Sequence, residues 1–225
     1  MMKKRWCWLL FFVVLALLGG AMAVLAQQPA GVGVYYIGPD DVVAQAIRQS
    51  APYIFLVDRV ELAQVYVINN APLERLDLQS VGRQVLREDV GLVVFSGPFF
   101  PQNSGDLRAL LGVGAFGLAS GEMQPRSVEA GEEPDPLLRA IAWSSAPELQ
   151  ARTVITNPNL LLPIVETTTG EPVVQRIRGR EELQVFVVGA WLDDPSNEPW
   201  TGWPYFNYIV YRLIAEAGGA SRVLS

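Results

Sequence analysis

Short uninterrupted apolar runs alternate with amphipathic stretches along most of the chain. Val32-Gly33-Val34-Tyr35-Tyr36-Ile37 reads as a buried strand stopped by Gly38. Pro39-Asp40-Asp41 then opens a helix to about Ser50, with Val42, Val43, Ala46 and Ile47 on one face. Pro at a first helical position and acids in the first turn suit a helix N-terminus. Residues 53–57 (YIFLV) and 64–68 (QVYVI) form two more strands, the second stopped by Asn69-Asn70-Ala71-Pro72. A helix follows over Leu76 to Glu88, where Leu78, Val81, Val85 and Leu86 share a face. Gly91 to Phe95 (GLVVF) is almost wholly apolar, as strands covered on both faces are.

Ser96-Gly97-Pro98 ends that strand, and Ser104-Gly105-Asp106 caps a short helix ending near Leu111. Residues 112–136, rich in Gly, Ser, Pro and acids, read as an irregular loop region. Strands are expected at 152–156, 173–177 and 184–188, the last two as a hairpin across residues 178–182. A final helix over Tyr205 to Ala217 closes at Gly218-Gly219. This βαβ rhythm predicts an α/β fold of flavodoxin-like, doubly wound type. Its sheet is expected to be mostly parallel, with helices on both faces.

The first 26 residues break the pattern. Lys3, Lys4 and Arg5 precede an uncharged apolar stretch from Trp6 to Ala26, with small-residue cleavage sites before Gln27 and at Ala21-Met22-Ala23. This is a signal peptide or, uncleaved, an N-terminal membrane anchor helix. Either places residues 27–225, a single domain, outside the cytoplasm, secreted, periplasmic or held at the cytoplasmic membrane. Membrane contact is then through the uncleaved segment. Cys7 is the chain's single cysteine, so no internal disulfide forms. Of 17 basic residues three lie in this leader, leaving 14 Arg against 23 acids in the domain. Such a balance argues against nucleic-acid binding.

Composition also limits the chemistry. The 225-residue chain has no histidine, and its only lysines are Lys3 and Lys4. Past the leader, a His-dependent triad, a Cys nucleophile, a Schiff-base lysine, a Cys/His zinc site and a P-loop lysine are all excluded. No cofactor is expected. The candidates that remain follow predicted strands, at the edge where open α/β sheets bind ligands. They are Asp40 and Asp41, Asn69 and Asn70, and Ser96 and Gly97. Helix capping and turn chemistry account for the same residues. Asp193-Asp194-Pro195-Ser196-Asn197-Glu198 gathers oxygen ligands as a calcium loop does, without EF-hand spacing, and reads as a solvated turn. Trp200, Trp203, Tyr205, Phe206, Tyr208 and Tyr211 form the densest aromatic cluster, fit for core packing, sugar stacking or an interfacial belt.

Five stretches resemble the glutamine amidotransferase-like domains of bacterial envelope proteins. They are residues 85–98 (VLREDVGLVVFSGP), 107–113 (LRALLGV), 135–147 (DPLLRAIAWSSAP), 179–192 (GREELQVFVVGAWL) and 200–215 (WTGWPYFNYIVYRLIA). The resemblance implies a class I glutamine amidotransferase-like fold over residues 32–217. It also implies other envelope proteins as partners. Enzymes of that class attack the amide with a Cys thiolate while a His moves protons. This chain lacks both, and Ser96 stands where a nucleophile elbow would lie, without a Gly-x-Ser-x-Gly pattern. The expectation is a noncatalytic binding or assembly module of the envelope. The alternatives are a hydrolase using Ser96 or carboxylates and a carbohydrate-binding module using the C-terminal aromatics. Membrane-associated members continue past the position of Ser225, so the resemblance also implies a fragment of a longer protein.

Overall fold

The structure, a computed structural model, describes residues 31–87, 90–112, 115–130, 135–177 and 184–219. The leader at 1–26, the hairpin tip at 178–182 and the chain end at 220–225 lie outside the described residues. No described helix is long and apolar enough to cross a membrane.

Among the described residues ten strands run in chain order as β1 Val32–Ile37, β2 Ile54–Leu56, β3 Val65–Asn69, β4 Gly91–Phe95, β5 Gly117–Arg126, β6 Val128–Ala130, β7 Leu149–Thr156, β8 Leu161–Thr167, β9 Pro172–Ile177 and β10 Val185–Val188. The helices are α1 Val42–Gln49, α2 Arg75–Arg87, α3 Ser104–Leu111, α4 Glu198–Thr201 and α5 Phe206–Ala217. Eight strands form one sheet in the order β2-β1-β3-β4-β10-β9-β8-β6, and β5 pairs with β7 in a separate two-stranded sheet.

Alternation along the buried strands divides the core in two. Val34, Val67, Val93, Phe95, Phe186 and Val188 face α1, α5 and the aromatic cluster. Ile68, Leu92, Val94, Val185 and Val187 face α2 and α3. Each such side chain, fully buried, contributes about 1.5–3 kcal/mol. Helices therefore cover both faces, as the doubly wound reading expects.

Most pairings in the sheet are parallel and β9–β10 is the expected antiparallel pair, but the reading is corrected in one respect: the antiparallel part extends beyond that pair. Strands β2, β1, β3, β4 and β10 are parallel, whereas β9, β8 and β6 add on antiparallel. Connection length is the cause. Only Thr168–Glu171 join β8 to β9, and a parallel pair needs a crossover of a dozen residues or more.

The expected irregular region at 112–136 is also corrected, because it contains β5 and β6. β5 is mostly exposed and lacks an apolar face, so its sequence carries no alternation to read. Its order comes from backbone pairing with β7, from Gly117 opposite Thr156 to Arg126 opposite Leu149. β8 is a further strand that the sequence reading lacks. Pro163 interrupts its pattern and sits where the register with β9 shifts.

Two helix starts also move. Asp41 is the N-cap of α1, accepting from Val43 N (2.9 Å) and Ala44 N (3.3 Å), so the acids precede the first turn and Pro39 is not helical. Asn103, not Ser104, caps α3, in a capping box with Asp106.

Candidate functional site

The parallel half of the sheet determines where a ligand has room. From β1 the chain passes through α1 to β2 on one side, while β3 and β4 build out on the other. After β1 it turns toward the α1 face, and after β3 toward the α2 face. At such a switch point the two strand-end loops part and leave a crevice beyond the carboxyl ends of the strands. A cleft of about 490 Å³ lies here, lined by Gly38 and Pro39 after β1, Asn70, Ala71 and Pro72 after β3, Phe99 after β4, and Asp193 after β10. Its volume is within the ~300–1,000 Å³ common for small-molecule sites.

Two hydrogen-bonded groups hold these loops. In the first, Asn69 Nδ2 donates to Asp41 Oδ2 (2.6 Å) and to the Tyr36 hydroxyl (2.8 Å). Tyr36 directs its own proton toward Asp41 Oδ1 (3.0 Å) and the Pro39 carbonyl (2.9 Å). Burial pushes the Tyr36 hydroxyl well above the ordinary phenol range. The charges of Asp41 and Asp40 add to that rise, and the Asn69 amide partly offsets it. Asp41 thus caps α1 and fixes the end of β3 together.

In the second group, Asn70 is 4% exposed and has a positive φ of 44°. Its Nδ2 donates to Asp193 Oδ2 (2.9 Å), and its Oδ1 accepts from Phe99 N (2.8 Å). Its own N–H donates to the Phe95 carbonyl (3.0 Å). Gly97 lies against this amide. A Cβ there would come within 2.1 Å of Asn70 Cγ, so only glycine fits. One residue, Asn70, therefore joins the ends of β3, β4 and β10.

Of the six sequence-derived candidates, five enter these contacts or their margin. Asp41 and Asn69 share the first group, and Asn70 and Gly97 meet in the second. Asp40 is exposed and pairs with Arg48 across α1. Ser96 stands apart from both groups. It is 1% exposed, and its Oγ has no hydrogen-bond partner among the described residues. No strand-to-helix elbow forms at this serine. Residues 97–100 make a tight turn through Gly97 N to Phe100 O (2.8 Å), and α3 begins only at Ser104.

Tyr36, Phe99 and Asp193 are site residues that sequence reasoning missed. Asp193 lies in the loop after β10, at the same sheet edge as Asn70 after β3, and that placement was the available signal. The turn at 193–198 is not a calcium loop in this structure. Asp193 holds Asn70, Asp194 Oδ1 accepts from Ser196 N (2.9 Å), and Asn197 is buried against Ala151 and Trp191 carbonyls. No group of three acids placed to hold a metal occurs among the described residues.

The sugar-stacking reading is likewise overturned. Trp200 and Trp203 are 4% and 7% exposed and meet edge-on at 69°, so they offer no open coplanar face. Trp203 also packs on Trp143 and Tyr205, within the core beside α5.

Comparisons with known proteins bear on the fold. No family model matches the chain. No curated protein sequence matches it either. Among solved structures, a glutamine amidotransferase from Thermotoga maritima is similar over 83% of this chain and 98% of that one, with a TM-score of 0.53 and 10% identity. A glutamine amido transferase from Methylobacillus flagellatus covers 82% of this chain and 92% of its own, at 8% identity and a TM-score of 0.47. The likeness to the Thermotoga maritima structure shows a glutamine amidotransferase-like α/β fold.

Proposed function

We propose that this domain is a noncatalytic binding module that works outside the cytoplasm, with the cleft at the switch point as its binding site. The observation that carries the reading is the state of the polar groups at the strand ends. Asp41, Asn69 and Tyr36 are bonded to one another, and Asn70 to Asp193 and the Phe99 backbone, as groups that hold loops in place are. Ser96, the hydroxyl at the end of β4, is buried, and the chain contains no histidine to activate it. A firmly held, largely apolar cleft needs little ordering when a ligand enters, which favours binding.

The test is ammonia release from glutamine by the purified chain. The expected result is no release above the buffer rate, with Ser96→Ala indistinguishable from the parent. Turnover that disappears in Ser96→Ala would overturn the noncatalytic reading. The basic-then-apolar segment at residues 3–26 supports export. Mass spectrometry of the protein recovered from its source should find a new N-terminus near Gln27 or an intact Met1 in the membrane fraction. An intact chain confined to the cytosol would overturn the location.

A further inference from the structure

The charge of the cleft is one-sided. Asn70 is the only amide side chain lining it among the described residues, and it is held in place by one bond from Nδ2 to Asp193 and one to Oδ1 from Phe99 N. Pro39, Ala71, Pro72 and Phe99 offer apolar surface. The charged group of the lining is Asp193, an exposed carboxylate whose Oδ2 receives one neutral N–H and keeps further acceptor capacity. No ion pair reaches Asp193 among the described residues, whereas Asp40, beside the cleft, is matched by Arg48. Phe99 is 55% exposed next to that carboxylate's partner Asn70, and an exposed aromatic face attracts cations. Among the described residues no basic side chain lines the cleft, so no cation there offsets an anion.

We propose that the cleft takes an apolar amine in its ammonium form. The cationic head sits on the Asp193 carboxylate, and the apolar body lies against Phe99, Pro39, Ala71 and Pro72. Charge complementarity selects this occupant over a carboxylate ligand, which would face Asp193 with no cation to offset it. The inference rests on the reading of the cleft as a binding site and adds the charge and shape of what enters it.

Three probes of one shape and different charge separate the possibilities: benzylammonium, benzyl alcohol and benzoate. Each is titrated into the full chain, isotopically labelled and kept in detergent, while the Asn70 side-chain amide and the Phe99 backbone amide are followed by NMR. Benzylammonium should shift both resonances to saturation. Benzyl alcohol should do so more weakly, and benzoate should leave them in place. Asp193→Asn keeps an acceptor for Asn70 and so keeps the loop, which an unchanged spectrum elsewhere confirms. It should weaken benzylammonium roughly fivefold, as loss of one exposed charge contact does. Equal shifts from the alcohol or benzoate, or an unchanged affinity in Asp193→Asn, overturn the ammonium inference and leave the binding site standing. Silence of both resonances with all three probes overturns the two together.

Discussion

Asn70 and Asp193, 123 residues apart in the chain, meet through one 2.9 Å hydrogen bond that ties the end of β3 to the end of β10. Asn70 holds this position with φ at 44°, a left-handed conformation that Asn tolerates better than most residues. Asn70→Ala removes both side-chain bonds and keeps the unfavourable angle, so it should destabilise the domain by about 1–3 kcal/mol. Asn70→Gly loses the same bonds without the strain and should cost about 1 kcal/mol less. Urea unfolding of the two variants measures the difference, and equal midpoints would show that the backbone angle carries no cost.

Gly97 and Asn70 are coupled by contact. Gly97→Ala places a methyl group in the space of the Asn70 amide and should cost about 1–3 kcal/mol as overpacking. In the double variant with Asn70→Gly that obstruction is gone. The combined loss should therefore fall short of the sum of the single losses, by more than the ~0.5 kcal/mol typical of independent sites. Additive losses would mean that the two residues do not share the space described.

Asp41 is asked to cap α1 and to hold Asn69. Asp41→Ala removes both functions and should lower stability by about 1–2 kcal/mol, while Asp41→Asn retains the cap and should lose less than half of that. Thermal unfolding followed by far-UV circular dichroism distinguishes them. An Asp41→Asn variant as unstable as Asp41→Ala would shift the weight from the cap to the charge.

Tyr36 should make the domain sensitive to alkali. Its folded-state pKa lies above the ordinary phenol value of 10.0. The unfolded chain therefore releases this proton first, and the protonated hydroxyl contributes stability fully below pH 10. That contribution declines as pH rises through 10 toward the folded value. Over pH 9 to 11.5 the parent should lose more stability than Tyr36→Phe, read as denaturant midpoints at each pH. Parallel pH profiles would refute the assignment to Tyr36.

What could be read from the sequence depended on whether burial had left a periodic mark. Strands β1 and β4 are covered on both faces, so their apolar runs were legible to within a residue. β5 buries almost nothing and is held by pairing alone, and β8 is broken by Pro163, so neither carries a pattern. At the site, Asp41, Asn69, Asn70, Ser96 and Gly97 were found because they follow strands. That rule locates an edge and does not say which side chains turn into it. Ser96 turned out to be buried. Asp193, read as part of a solvated turn, proved to be the partner of Asn70. The Asn70–Asp193 and Asn69–Tyr36 pairs join segments 123 and 33 residues apart, and no local signal encodes such meetings. The tryptophans were conspicuous as a cluster, yet their orientation and burial are properties of packing that composition does not record.

The place of β10 imposes an order of events on synthesis. Among the described strands it is the last to leave the ribosome and one of the most central, bonded to β4 on one side and β9 on the other. Until residues 185–188 emerge, β1 to β4 and the group β6, β8 and β9 are two separate sheets with facing open edges. The sheet therefore closes only after residue 188 has emerged. For that interval β4 exposes an unpaired apolar edge, the kind of surface through which nascent chains associate wrongly. A chain cut before residue 185 should for that reason be an aggregating species rather than a smaller folded one.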